Sequence, residues 1–130
     1  MDLNPTFAQQ ALAEALARYP EFAPFGARIV VQDFAVSTTK AREVLPSHYS
    51  KEDAIFNIQR AALLIAALAT GHRDVFPTAL MDKLHQSYRA KLLPGLEAIL
   101  ALRAEGLLGC AISGAGPSIL VIHESNHAEV

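Results

Sequence analysis

Apolar positions recur at helical and at strand spacing in turn along the chain, and each change of period marks an element. Asn4 can cap a first helix and Pro5 suits its opening turn. Phe7, Ala11, Leu12, Ala15 and Leu16 then recur at helical spacing, which predicts a helix over residues 1–19. Two prolines and a glycine within 19–26 break it. Residues 28–34, rich in Ile and Val, read as a strand with at least one buried face. Ser37, Thr38 and Thr39 offer N-caps to a short helix over 40–45, stopped by Pro46. Ser50 can cap the next helix, with Asp53 three residues on. Ile55, Phe56, Ile58, Ala62, Leu63, Ile65, Ala66 and Leu68 follow, and Gly71 ends it. Its second half is apolar nearly all round, which predicts a helix buried between layers. A third helix is expected over 74–85, with Pro77 tolerated in its first turn, and a fourth over 94–105, stopped by Gly106. Two short apolar runs, 109–112 and 119–123, close the pattern as strands on either side of a tight connection.

Strands at both ends of a helical middle predict an α+β fold, with helices packed on one face of a mainly antiparallel sheet. The length of 130 residues fits one domain with a real core. An apolar fraction of 52% and a formal charge of -2 describe an ordinary globular chain, and no Lys/Arg cluster suggests nucleic acid as a partner. The single cysteine, Cys110, excludes an internal disulfide and is expected to be buried and inert. The five histidines show no metal-ligand spacing, so no metal site is expected. No secretory pattern opens the chain, and the apolar run 63–68 is too short to span a bilayer. A cytoplasmic protein without membrane contact is the expectation.

Candidate chemistry concentrates in three places. In the connection Ser113, Gly114, Ala115, Gly116, Pro117 and Ser118, two glycines one residue apart permit positive φ and bare backbone N–H groups. Such a concave row of amides attracts anions, phosphate above all, and Pro117 stiffens it. It is neither a Walker loop nor a dinucleotide fingerprint, and it also fits a hairpin turn without a ligand. Thr38 and Arg42, four apart, share a helix face where a hydroxyl and a guanidinium can hold a carboxylate or phosphate. An N-terminal Thr and a solvated Arg fit the same pattern. Arg89 lies in the polar link 85–91, a type of segment that often carries ligand contacts, although a surface charge fits there too.

Residues 37–46, 54–64, 82–95 and 112–120 resemble, in the same order, segments of bacterial homoserine kinases. The last block is similar to the third signature of the wider GHMP small-molecule kinases, and the likeness runs from about 28 to 123. The resemblance implies a ferredoxin-like two-layer sandwich of the GHMP kinase C-terminal type over 25–130, with 1–24 an unmatched helix and linker. It implies transfer of the ATP γ-phosphoryl group to the hydroxyl of L-homoserine, in threonine biosynthesis. By position, Thr38 falls near the reacting end and is the catalytic candidate, while Arg42 and Arg89 fall on arginines that bind the amino-acid carboxylate. Ser113, Gly114, Ala115, Gly116 and Ser118 fall on the loop that supports the phosphate-binding loop of the other domain. Asn57 and Arg60 match as well, without a role beyond the polar side of a core helix.

The family's ATP loop, Gly-Leu-Gly-Ser-Ser-Ala, does not occur in this chain, nor does the strand-rich half that carries the magnesium ligand. ATP and magnesium are therefore expected of the full-length family, with no cofactor held by this chain alone. Phosphoryl transfer is nearly all positioning and charge stabilisation, so the chain is expected to be inactive by itself. A missing N-terminal half and a second copy are the expected partners, with L-homoserine or a similar amino acid as ligand. The alternatives are a stand-alone amino-acid-binding or regulatory module and a truncated product without function.

Overall fold

A computed structural model of the chain describes Arg18 and residues 25–125. The expected helix over 1–19 therefore lies, Arg18 apart, outside the described residues. Three strands form an antiparallel sheet: β1 (Phe25–Val30), β2 (Leu107–Ile112) and β3 (Ile119–Glu124), in the order β1-β3-β2. The register of β1 on β3 runs from Phe25 opposite Glu124 to Val30 opposite Ile119. That register corrects the expected strand over 28–34. Beyond Ile119 the partner strand turns away at Ser118, so among the described residues no strand continues beside 31–34, and Val31 is 64% exposed. Gly26 stands opposite His123, and a Cβ there would run into the imidazole ring.

The first two helices follow their caps. Helix α1 (Thr38–Glu43) starts where the Ser37 hydroxyl accepts the Lys40 amide, two residues before the expected start. Helix α2 (Lys51–Thr70) opens on the Ser50 hydroxyl, which accepts the Asp53 amide at 3.0 Å. It closes at Gly71, in the left-handed region at φ 74. By length and mean hydropathy, 1.3, α2 could cross a membrane, yet it lies against the sheet and carries Lys51, Glu52, Asp53 and Arg60. It is not buried between layers, as its composition suggested. Ala67 alone is fully buried, Leu64 and Leu68 pack beside it, and Ile58 and Ile65 are 69% and 60% exposed.

The expected helix over 74–85 is broken. A 3-10 turn (Arg73–Val75) and α3 (Phe76–Ala79) are followed by an irregular stretch, then α4 (Gln86–Arg89) and a second 3-10 turn (Ala90–Leu92). The cause is competition for backbone N–H groups. Asn57 takes the Lys83 amide, while the Asp82 carboxylate takes those of His85 and Gln86. Helix α5 (Leu96–Leu100) also ends short of 105, where Arg103 donates to the carbonyl of Leu102 at 2.7 Å.

Successive residues of β3 feed two apolar clusters. Leu120 and Ile122 join Phe25, Ala67, Phe76 and Leu108 beneath α2 and α3. Ile119 and Val121 join Leu93, Leu96, Cys110 and Ile112 beside α5. The strand period of two thus sorts one strand into both clusters.

Candidate substrate site

The glycine connection is a tight turn between β2 and β3. The Ser113 amide donates to the Ser118 carbonyl at 2.8 Å, and Gly114 and Gly116 sit at φ 63 and 81, where a side chain would strain the backbone. The Gly116–Pro117 bond is cis. Ser118 is buried beside the strands, and Gly116 comes so close to Leu93 and Ile112 that a Cβ would crowd them.

Arg89 ties this turn to the rest of the site. Its Nε donates to the Ala41 carbonyl of α1 at 3.1 Å and its Nη1 to the Gly114 carbonyl at 2.8 Å. A side chain from α4 thus joins the helix that carries Thr38 and Arg42 to the glycine turn. Burial holds the Arg89 pKa below the ordinary arginine range, and the neighbouring charge of Arg42 adds to the effect, while Tyr49 and Asp82 oppose it. Thr38 is the first residue of α1, on the exposed side one turn before Arg42.

A second group of residues, not expected from the pattern, underlies Arg89. Asp82 lies with its side chain 7% exposed; its Oδ1 accepts from Asn57 Nδ2 at 2.7 Å, and its Oδ2 accepts the amides of His85 and Gln86 at 2.7 and 2.6 Å. Burial alone would push its pKa up. The N–H bonds from Gln86, His85 and Asn57 and the charge of His85 outweigh that, and the carboxyl is held below its usual range. His85 is displaced the same way for another reason. Burial pushes it down, Asp82 opposes that and Arg89 reinforces it, so the imidazole is biased to the neutral form. Tyr49 closes this side, its hydroxyl donating to the Leu84 carbonyl at 2.7 Å and its ring meeting Tyr88 edge-on. The legible signal was Asp82, His85 and Arg89 at steps of three and four, which place them along one side of a turn.

Two cavities flank this region. The larger, about 510 Å³, is lined by Leu80, Ala90, Leu100, Gly109 and Cys110 among others, and it touches none of Thr38, Arg42, Arg89 or the glycine turn. Burial pushes the Cys110 thiol pKa up, against the influence of Arg103, which leaves it a poor nucleophile. The smaller cavity, about 170 Å³, is lined by Asn57, Arg60, Asp82, His85, Gln86 and Ile112 among others. The Arg60 guanidinium stacks 4.1 Å above the Phe56 ring. Among the described residues, no three His, Cys, Asp or Glu side chains converge as a metal site would need, and Asp82 spends both oxygens on N–H donors. No residue here is assigned to magnesium.

A glycine turn, a helix start and the arginine that joins them thus sit together on a small antiparallel sheet. A family model described as GHMP kinases C terminal matches residues 54–130, and the chain belongs to that family. Its relatives are homoserine kinases. That of Solibacter usitatus is 63% identical over 113 residues, covering 87% of this chain and 37% of the relative. That of Synechococcus sp. is 43% identical over 122 residues, covering 93% and 39%. The crystal structure of homoserine kinase from Cytophaga hutchinsonii superposes with a TM-score of 0.72 at 31% identity, over 82% of this chain and 34% of that one. The chain thus spans little more than a third of the length of the relatives it matches.

Proposed function

We propose that the chain supplies the substrate-facing part of a cytoplasmic homoserine kinase. In this reading Arg42 and Arg89 take the carboxylate of L-homoserine, and the Thr38 hydroxyl lies toward the reacting end. The turn of Ser113, Gly114, Ala115, Gly116 and Ser118 supports the phosphate-binding loop of the remaining part of the enzyme. ATP and magnesium come with that part. The carrying observation is the position of Arg89, bonded at once to Ala41, next to Arg42, and to Gly114 of the turn. Three blocks distant in sequence meet at one guanidinium, and planar Arg donors match a carboxylate well.

The chain alone lacks the triphosphate cradle, so it is expected to show no phosphoryl transfer from ATP and magnesium to L-homoserine, and no micromolar ATP binding. Joined to the part of the Solibacter usitatus enzyme that it does not cover, it is expected to support turnover. There, Arg89→Ala and Arg42→Ala should each raise the homoserine KM tenfold or more, the loss of a charged hydrogen bond. A chimera that is folded and inactive, or KM values unmoved by both substitutions, would refute the reading.

A further inference from the structure

The bonds around Asp82 form one connected path from α2 to the glycine turn. Asn57 of α2 gives its Nδ2 to Asp82 and takes the Lys83 amide on its Oδ1 at 2.9 Å. Asp82 takes the first amides of α4. Gln86, the next residue in that path, is buried; its Oε1 accepts the amide of Ile112 at 2.8 Å and its Nε2 donates to the Leu80 carbonyl at 3.3 Å. That anchors the last residue of β2, directly before the turn. One helical turn along, Arg89 reaches Ala41 and Gly114. His85 stands between the two ends, its Nε2 3.5 Å from Asp82 Oδ1 and its Nδ1 3.5 Å from Arg89 Nη1.

We infer that Asn57 and Asp82 are positioning residues, a clasp that sets the start of α4 and thereby aims the Arg89 guanidinium and the lip of the glycine turn at an anionic ligand. This deepens the proposed function and rests on Arg89 meeting the substrate carboxylate. Helix α4 is only four residues long, too short to hold itself. A nearly buried carboxylate and an amide from another helix are nevertheless committed to its first turn. The His85 ring fits the same logic. A neutral imidazole with its proton on Nε2 gives a hydrogen to the carboxylate side and keeps a lone pair toward the Arg89 N–H, so one tautomer satisfies both neighbours. The charged groups facing this ring are Asp82 and Arg89, with Arg60 of α2 lining the same small cavity and Arg42 beyond Arg89. Lys83 is turned toward Asp53, 3.5 Å away.

The test uses the full 130-residue chain, labelled for NMR of the Arg89 Nε–H and the His85 ring, with titration of L-homoserine. In the parent, the Arg89 Nε–H should exchange slowly at pH 7, and His85 should be neutral with its proton on Nε2. Asn57→Ala and Asp82→Asn should each speed that exchange about tenfold or more, mix the His85 tautomers and weaken homoserine binding by a similar factor. The paired exchange of Asn57→Asp with Asp82→Asn rebuilds the side-chain bond with donor and acceptor reversed, and should restore Arg89 protection. If Asp82→Asn does not fold, Asn57→Ala and the paired exchange decide alone. Unchanged Arg89 exchange and His85 tautomer in folded single variants would overturn the clasp. So would a uniform loss of protection across β2 and β3, which marks a merely structural role. A parent that binds no homoserine at millimolar concentration would defeat the carboxylate reading, while the Arg89 and His85 signals would still decide the clasp.

Discussion

Asp82 shows how one carboxylate can reshape a local pattern. Its neighbours have the composition of a helix, yet the carboxylate and Asn57 draw off three amides, and the chain turns instead. The hydrogen bonds to Asp82 and the burial of His85 make the region sensitive to acid. Both Asp82 and His85 have folded pKa values below their ordinary ones, so the unfolded chain binds more protons than the folded chain, and stability rises with pH. The His85 contribution is complete above its unfolded pKa and is lost as pH falls below that of an ordinary histidine, about 6.5. The Asp82 contribution follows lower, below the ordinary aspartate value of about 3.9. Urea midpoints measured from pH 8 to 4 should therefore fall steadily below about pH 6.5, and His85→Gln should flatten the first part of that fall. At Gly26 the expectation is steric. Gly26→Ala drives a methyl group into the His123 ring and should cost about 1–3 kcal/mol, visible as a lower Tm.

Among the elements, α2 separates propensity from burial most clearly. Ser50 and Gly71 set its ends as local rules require, and Ser50→Ala should cost about 1 kcal/mol in chemical denaturation. Its composition suggested burial on all sides, but the described sheet meets only the face of Leu64, Ala67 and Leu68. Ile55, Ile58 and Ile65 lie on outer positions, 42%, 69% and 60% exposed. Hydrophobicity reports that a surface is fit to be covered; it does not say by what. The strands behave differently because each needs a neighbour. β1 stops at Val30 where β3 stops pairing, although Val31 and Phe34 continue the apolar run.

For the whole molecule, the outer face of α2 sets the expected behaviour in solution. An apolar stripe along a helix of 20 residues is the kind of surface that seeks a partner. In sedimentation velocity the chain should self-associate with rising concentration, and Ile58→Glu combined with Ile65→Glu should keep it monomeric with an unchanged melt. A parent that stays monomeric at high concentration would count against this face as an interface. Mixed with a chain carrying the remainder of the kinase, the parent should form a heterodimer that the double variant does not.

The sequence by itself determined the class of fold, the two hairpin strands, the caps of the first two helices and the glycine turn. These depend on residues close together in the chain, where period, φ preference and capping act directly. Four matching blocks also carried the family, and with it the expectation for Arg42 and Arg89. Tertiary structure decided what distant residues do to one another. The end of β1 depends on where β3 turns, and the break of the helix over 74–85 depends on Asn57, 26 residues away from Lys83 in the chain. The meeting of Arg89 with Ala41 and Gly114 spans 48 and 25 residues. Hydrogen bonds of that reach follow from packing, which no local pattern encodes, and they bring Arg89, the helix that carries Arg42 and the glycine turn together.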